Sequence, residues 1–94
     1  MEHISRSLQG LLKKLELDKR ILGWSALGLW EEVVGPRIAS NAKPVAYRDS
    51  KLFVQVVTTA WLHELSYMRE EILTRMNKRL GARVIRDIVF SLAR

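Results

Sequence analysis

Ninety-four residues are enough for a single small core, and 48% apolar with 28% charged residues is the balance of an ordinary soluble protein; no apolar run nears the roughly 18 residues of a membrane span. The absence of cysteine excludes disulfides, thiolate nucleophiles and cysteine zinc sites. Sixteen Lys and Arg against ten Asp and Glu leave a net charge of +6, which favours an anionic partner without identifying it.

The N-terminal stretch MEHISRSLQGLLKKLEL is broken by polar residues at every turn, unlike a secretory signal, so a cytoplasmic location is expected. Ile4, Leu8, Leu11, Leu12 and Leu15 recur at helical spacing and predict an amphipathic helix over about residues 4 to 16, with Gly10 weakening its middle. Asp18 is a candidate cap for a second helix. Its apolar positions Ile21, Leu22, Leu27, Trp30, Val33 and Val34 run to Gly35, although Gly23 and Gly28 weaken it. Gly35 can close that helix and Pro36 can open a short one through about Asn41.

Pro44 to Arg48 reads as a strand, Asp49-Ser50-Lys51 as a turn, and LFVQVVT as a second strand. In that strand Leu52, Val54 and Val56 are the expected core face, and Phe53, Gln55 and Val57 the other. Thr58 or Thr59 can cap a long helix with Trp61, Leu65, Met68, Ile72 and Met76 in one stripe, stopped by Gly81. The β-branched VIRDIVFSL completes the order α-α-β-β-α-β. One long helix cannot cover a three-stranded sheet alone. The expected architecture is therefore an α+β domain of two layers, with the helices on one side and part of the other side open.

Catalytic chemistry has little to work with. His3 and His63 are the only histidines and lack metal-ligand spacing, no nucleophile elbow is present, and no phosphate-binding glycine motif of an ATPase occurs. The pairs Glu31-Glu32 and Glu70-Glu71 point about 100° apart on a helix and read as solvated faces. No enzyme, metal or cofactor is expected.

Nucleic-acid domains of the KH class clamp a backbone with a G-X-X-G loop between two helices. Here the corresponding text is Gly35-Pro36-Arg37-Ile38, without the second glycine, so the turn reads as structural first, with Arg37 able to offer one phosphate contact. Basic residues cluster elsewhere. Arg75, Lys78, Arg79, Arg83 and Arg86 follow one another without an intervening acid until Asp87, and Arg37, Lys43, Arg48 and Lys51 are opposed only by Asp49. Lysines at a helix end complement its dipole, which explains Lys78 and Arg79 but not Arg83, Arg86 or the hairpin charges. Trp30 and Trp61 fall on apolar faces and read as core. Trp24 has no clear place, and Tyr67 falls on the polar face of the long helix near His63.

The chain resembles the DciA family, bacterial operators and loaders of the replicative helicase. The resemblance rests on Trp30, Val33-Val34-Gly35-Pro36, Ile38-Ala39, Pro44, the strand Leu52, Val54, Val56, then Thr59-Ala60-Trp61, Glu64-Leu65, Glu71-Ile72-Leu73, Arg75, Asn77, Gly81, Ile88 and Phe90. It implies a single KH-like domain over residues 1–94, contact with the helicase DnaB, and affinity for single-stranded DNA without nucleotide hydrolysis. Asn41 stands where the family often has His, Ser50 replaces the usual turn glycine, and no long basic tail accompanies the domain. On this reading Lys43, Arg48, Lys51, Arg75, Lys78, Arg79 and Arg83 are the candidate DNA contacts. Tyr67, His63 and Phe53 are the candidate helicase contacts. Neither a small-molecule substrate nor a membrane is expected. The competing expectation is an RNA-binding KH-like module tied to ribosomes or RNA turnover, which the same charge permits.

Overall fold

A computed structural model describes residues 2–93, with side-chain detail from Lys19 to Ala93. The elements follow the expected order: α1 Glu2–Val34, α2 Pro36–Ala39, β1 Ala42–Arg48, β2 Lys51–Val56, α3 Thr59–Leu80 and β3 Asp87–Leu92. The architecture is a small α+β fold, three helices and a mixed three-stranded sheet in the order β1-β2-β3.

The two N-terminal helices expected from the pattern are one continuous helix of 33 residues. Asp18 does not start a second helix. The text around it, Leu-Glu-Leu-Asp-Lys-Arg-Ile-Leu, is mostly made of good helix formers with neither Pro nor Gly to break it, so the backbone runs through. The stripe from Ile4 to Leu15 lies outside the described side chains.

The distal half of α1 docks through one face. Gly23, Ala26 and Trp30 are spaced three and four apart and are buried, and Val33 and Val34 extend that contact. The Trp30 indole Nε1–H donates to the Ala42 carbonyl at 2.8 Å, tying α1 to the first residue of β1. Gly23 is needed for close approach. A Cβ there would fall onto the Tyr47 ring, whose hydroxyl donates to the Val84 carbonyl at 3.0 Å. That one ring therefore joins α1, β1 and the segment leading into β3.

Tyr47 faces inward because of a bulge. The β1–β2 register slips between Pro44 and Ala46, leaving Val45 as the extra residue, so Ala42 and Tyr47, five positions apart, both reach the core side. Pro44 has no N–H to give the ladder, which suits it to this irregularity. The hairpin closes on Asp49 and Ser50, at φ 52° and 63°, the two positive values that a two-residue type I′ turn requires. Serine is an uncommon occupant of that conformation and makes the turn strained.

β2 is the central strand. It pairs antiparallel with β1 and parallel with β3, the crossover being α3. Leu52, Val54 and Val56 are fully buried beneath Leu65, Ile72 and Met76 of α3, together with Ile88 of β3. Phe53 and Gln55 point to the other face, which no described element covers. Thr58 caps α3, its Oγ1 accepting from the Trp61 N–H at 3.1 Å, and Gly81 closes it at φ 80°. The Asn77 side chain then steers the chain out of the helix. Its Nδ2–H donates to the Ile85 carbonyl at 2.8 Å, and its Oδ1 accepts from the Ile85 N–H at 2.9 Å and the Val84 N–H at 3.1 Å. Those bonds seat Val84 and Ile85 in the core as non-strand residues, so β3 starts later than the β-branched text suggests.

Candidate nucleic-acid interface

The α1–α2 junction is a bend and not a clamp. Gly35 takes φ 89°, its N–H donates to the Glu31 carbonyl at 2.8 Å, and Ile38 packs against the core where a phosphate-binding loop would need a second glycine. The crossover from β2 to β3 is the unbroken helix α3, so it too offers no loop between two helices. Arg37 turns its guanidinium over the Trp61 ring, 5.8 Å from the centroid. Trp61 is thus half-buried and roofed by a cation, where the apolar stripe alone predicts a core residue. Arg37, Ile38, Ala60, Trp61 and Glu64 line a shallow hollow of about 460 Å³ that holds no nucleophile and no imidazole.

All seven cations expected to meet DNA are exposed, and they come from separate elements. Lys43 and Arg48 lie on β1 and Lys51 at the start of β2; Arg75, Lys78 and Arg79 lie on α3, and Arg83 in the loop after it. Arg75 is paired with Glu71 at 2.8 Å and Arg79 with Glu32, both at the surface, where such pairs are weak and open readily. Glu31 and Glu70 are exposed as well, so both glutamate pairs are solvated faces. Arg48 lies over the Phe53 ring at 4.9 Å, joining the hairpin charges to the open sheet face.

The residues expected to meet a helicase are also split. Tyr67 is 84% exposed, one helical turn from the exposed His63 on α3, while Phe53 stands half-buried on the opposite layer. A partner touching all three would have to wrap the edge of the domain.

A concavity lies between α1 and the hairpin turn. It measures about 630 Å³ and gathers Lys19, Arg20, Arg48 and Arg86 around one carboxylate, Asp49, with Trp24 in its wall. Of these, the sequence marks Arg48 as a DNA contact and Arg86 as part of a basic cluster, and sets neither beside Trp24. Arg20 and Trp24 are four apart on α1, a detectable spacing, but nothing local says that a turn 25 residues further on packs beside them.

Among the described residues no three His, Asp or Glu side chains form a metal-binding group, and no helix is long and apolar enough to cross a membrane. The geometry defines a small basic α+β module whose charged surface lies on exposed loops, strands and helix ends.

The family model "Dna[CI] antecedent, DciA" matches residues 3–90, and the chain belongs to the DciA family. It is 32% identical over 85 residues to a UPF0232 protein of Mycobacterium tuberculosis (strain ATCC 25618 / H37Rv), covering 90% of this chain and 46% of the relative. A UPF0232 protein of Mycolicibacterium paratuberculosis is 36% identical over 85 residues, 90% of this chain and 47% of the relative. One of Corynebacterium glutamicum is 32% identical over 89 residues, 89% and 49%. The chain spans about half the length of these curated relatives.

Proposed function

We propose that this chain is a non-catalytic accessory module of bacterial DNA replication. It binds the replicative helicase DnaB in the cytoplasm and recruits or loads it onto single-stranded DNA at replication initiation, retaining the strand through its cations, and residues 1–94 act as one KH-like domain. The observation that carries this reading is the family match over residues 3–90. The net charge of +6 supports the DNA half of it. Lys43, Arg48, Lys51, Lys78 and Arg83 are the readiest phosphate contacts, and Arg75 and Arg79 join them by releasing Glu71 and Glu32. Tyr67 and His63 are the nominated helicase contacts, with Phe53 on the other layer as a separate one.

The KH-like label applies to the layout alone, because the Gly35 turn is packed against the core. DNA contact on this reading is electrostatic, through side chains, and its log-affinity falls with log salt by about 0.7 per phosphate contacted. The test is to mix the protein with the DnaB of its own organism, without DNA, and follow both by size-exclusion chromatography with light scattering. Co-migration at a defined mass ratio is expected. Separate elution with and without a single-stranded oligonucleotide would overturn the helicase reading, and equal competition by RNA of the same sequence would favour an RNA-binding module.

A further inference from the structure

Trp24 leaves 55% of its surface exposed and Ile21, one turn earlier, 59%, while the docking face of α1 is made by Gly23, Ala26 and Trp30. The core does not use this indole. It stands in the wall of the cleft between α1 and the hairpin turn, among four cations and one carboxylate.

The walls of that cleft are held to one another. The Arg86 N–H donates to the Ser50 carbonyl at 2.7 Å, so Arg48 and Arg86 sit on joined backbone segments. Tyr47 secures both segments to α1, through its contact with Gly23 and its bond to the Val84 carbonyl. The ion pairs found among the described residues, Glu71–Arg75 and Glu32–Arg79, lie elsewhere. The backbone walls of the cleft are therefore already in position, and what an entering strand must order is the cation side chains, Arg48 being drawn from the Phe53 ring it covers.

We propose that this cleft is a binding site for single-stranded DNA, with one base stacked on Trp24 and the flanking phosphates held by Arg20, Arg48 and Arg86. This rests on the DNA-retaining role proposed above and locates it. An exposed aromatic face beside spaced cations suits a single strand, because every base has a face to stack and a duplex keeps those faces hidden. An acidic peptide would use the cations but leave the indole without a partner. Lys19, beside Arg20 at the mouth, adds long-range attraction.

The test is fluorescence anisotropy of labelled oligo-dT at two salt concentrations, with circular dichroism melts confirming that each variant is folded. Trp24→Ala is expected to weaken binding about tenfold, within the range of one lost base stack, and Trp24→Phe to recover most of it. Arg86→Gln is expected to reduce the salt slope by about 0.7, one phosphate contact. Wild-type indole fluorescence should be quenched by oligo-dT and most of the quenching lost in Trp24→Phe, since Trp30 is buried and Trp61 is half-buried beneath Arg37. If wild type binds while Trp24→Ala and Arg86→Gln bind within twofold of it with unchanged slopes, the cleft is not the site and the DNA role stands. If wild type fails to bind oligo-dT even at low salt, the DNA role itself falls. Displacement by poly-glutamate as effective as by unlabelled oligo-dT would replace DNA with an acidic protein segment and overturn the proposal.

Discussion

Gly23→Ala separates close approach from helix propensity, because the same substitution at Gly28 should have the opposite sign. Both glycines are inside α1, where alanine is favoured by about 1 kcal/mol. Gly28 is exposed and an added Cβ meets nothing within 4 Å, so Gly28→Ala should keep that gain and raise the melting temperature by about 5 °C. At Gly23 the Cβ falls onto the Tyr47 ring, which is 8% exposed and bonded to the Val84 carbonyl. The ring cannot yield without losing that bond, about 1 kcal/mol, in addition to an overpacking cost of about 1–3 kcal/mol. Against the propensity gain the net loss is about 2 kcal/mol, or roughly 10 °C in a domain of this size. Thermal melts by circular dichroism read both variants. The control is Tyr47→Ala, in whose background Gly23→Ala should become stabilising because the obstructing ring is gone. A Gly23→Ala melt at or above wild type, or equal effects in both backgrounds, would refute the close approach of α1 to β1.

Ser50→Gly should stabilise the hairpin by about 0.5–1 kcal/mol, the left-handed penalty less the entropy glycine costs, and raise the melting temperature by about 4 °C; a lower value would show that the serine hydroxyl holds the turn. Asn77→Ala removes three bonds and orphans the buried Ile85 N–H, so a loss of about 3 kcal/mol is expected, with faster hydrogen exchange at Ile85 than in wild type; unchanged exchange would show that the loop holds itself. Tyr67→Ala, at a side chain 84% exposed, should leave the melt within about 0.5 kcal/mol of wild type while weakening capture of DnaB; unaltered capture removes Tyr67 from the interface.

What the sequence made legible is what local chemistry decides. Thr58 and Gly81 bounded α3 because capping is settled within a few residues, and the alternation of Leu52, Val54 and Val56 chose the buried face of β2. Tertiary terms modified two readings. Trp61 packs against the core as periodicity predicts, but only half-buried, because at the first turn of α3 Arg37 covers its outer ring face. The β-branched text from Val84 suggests an early strand, but Asn77 takes the backbone groups of Val84 and Ile85 before the ladder can. The cleft was invisible for a similar reason. Its cations come from α1, the hairpin turn and the entry to β3, and each group taken alone looks like a solvated surface.

One irregularity connects the fold to that cleft. Were Val45 taken into the ladder as an ordinary strand residue, the alternation of β1 would turn Tyr47 to the open face whenever Ala42 faced the core. The ring would then neither lie against Gly23 nor reach the Val84 carbonyl, and α1 would keep only its Trp30 attachment to β1. Lys19, Arg20 and Trp24 lie beyond Gly23 on the side away from Trp30 or beside it, so their position relative to Arg48 and Arg86 depends on the Tyr47 contact. Deleting Val45, by contrast, leaves Ala42 and Tyr47 four apart and both on the core side of a regular ladder, so it should keep Tyr47 against Gly23 and preserve the salt slope of oligo-dT binding. A Val45 deletion that stays folded but loses the wild-type salt slope would show that the bulge, through the local twist it adds, and not the inward face of Tyr47 alone, sets the α1 cations against the hairpin cations.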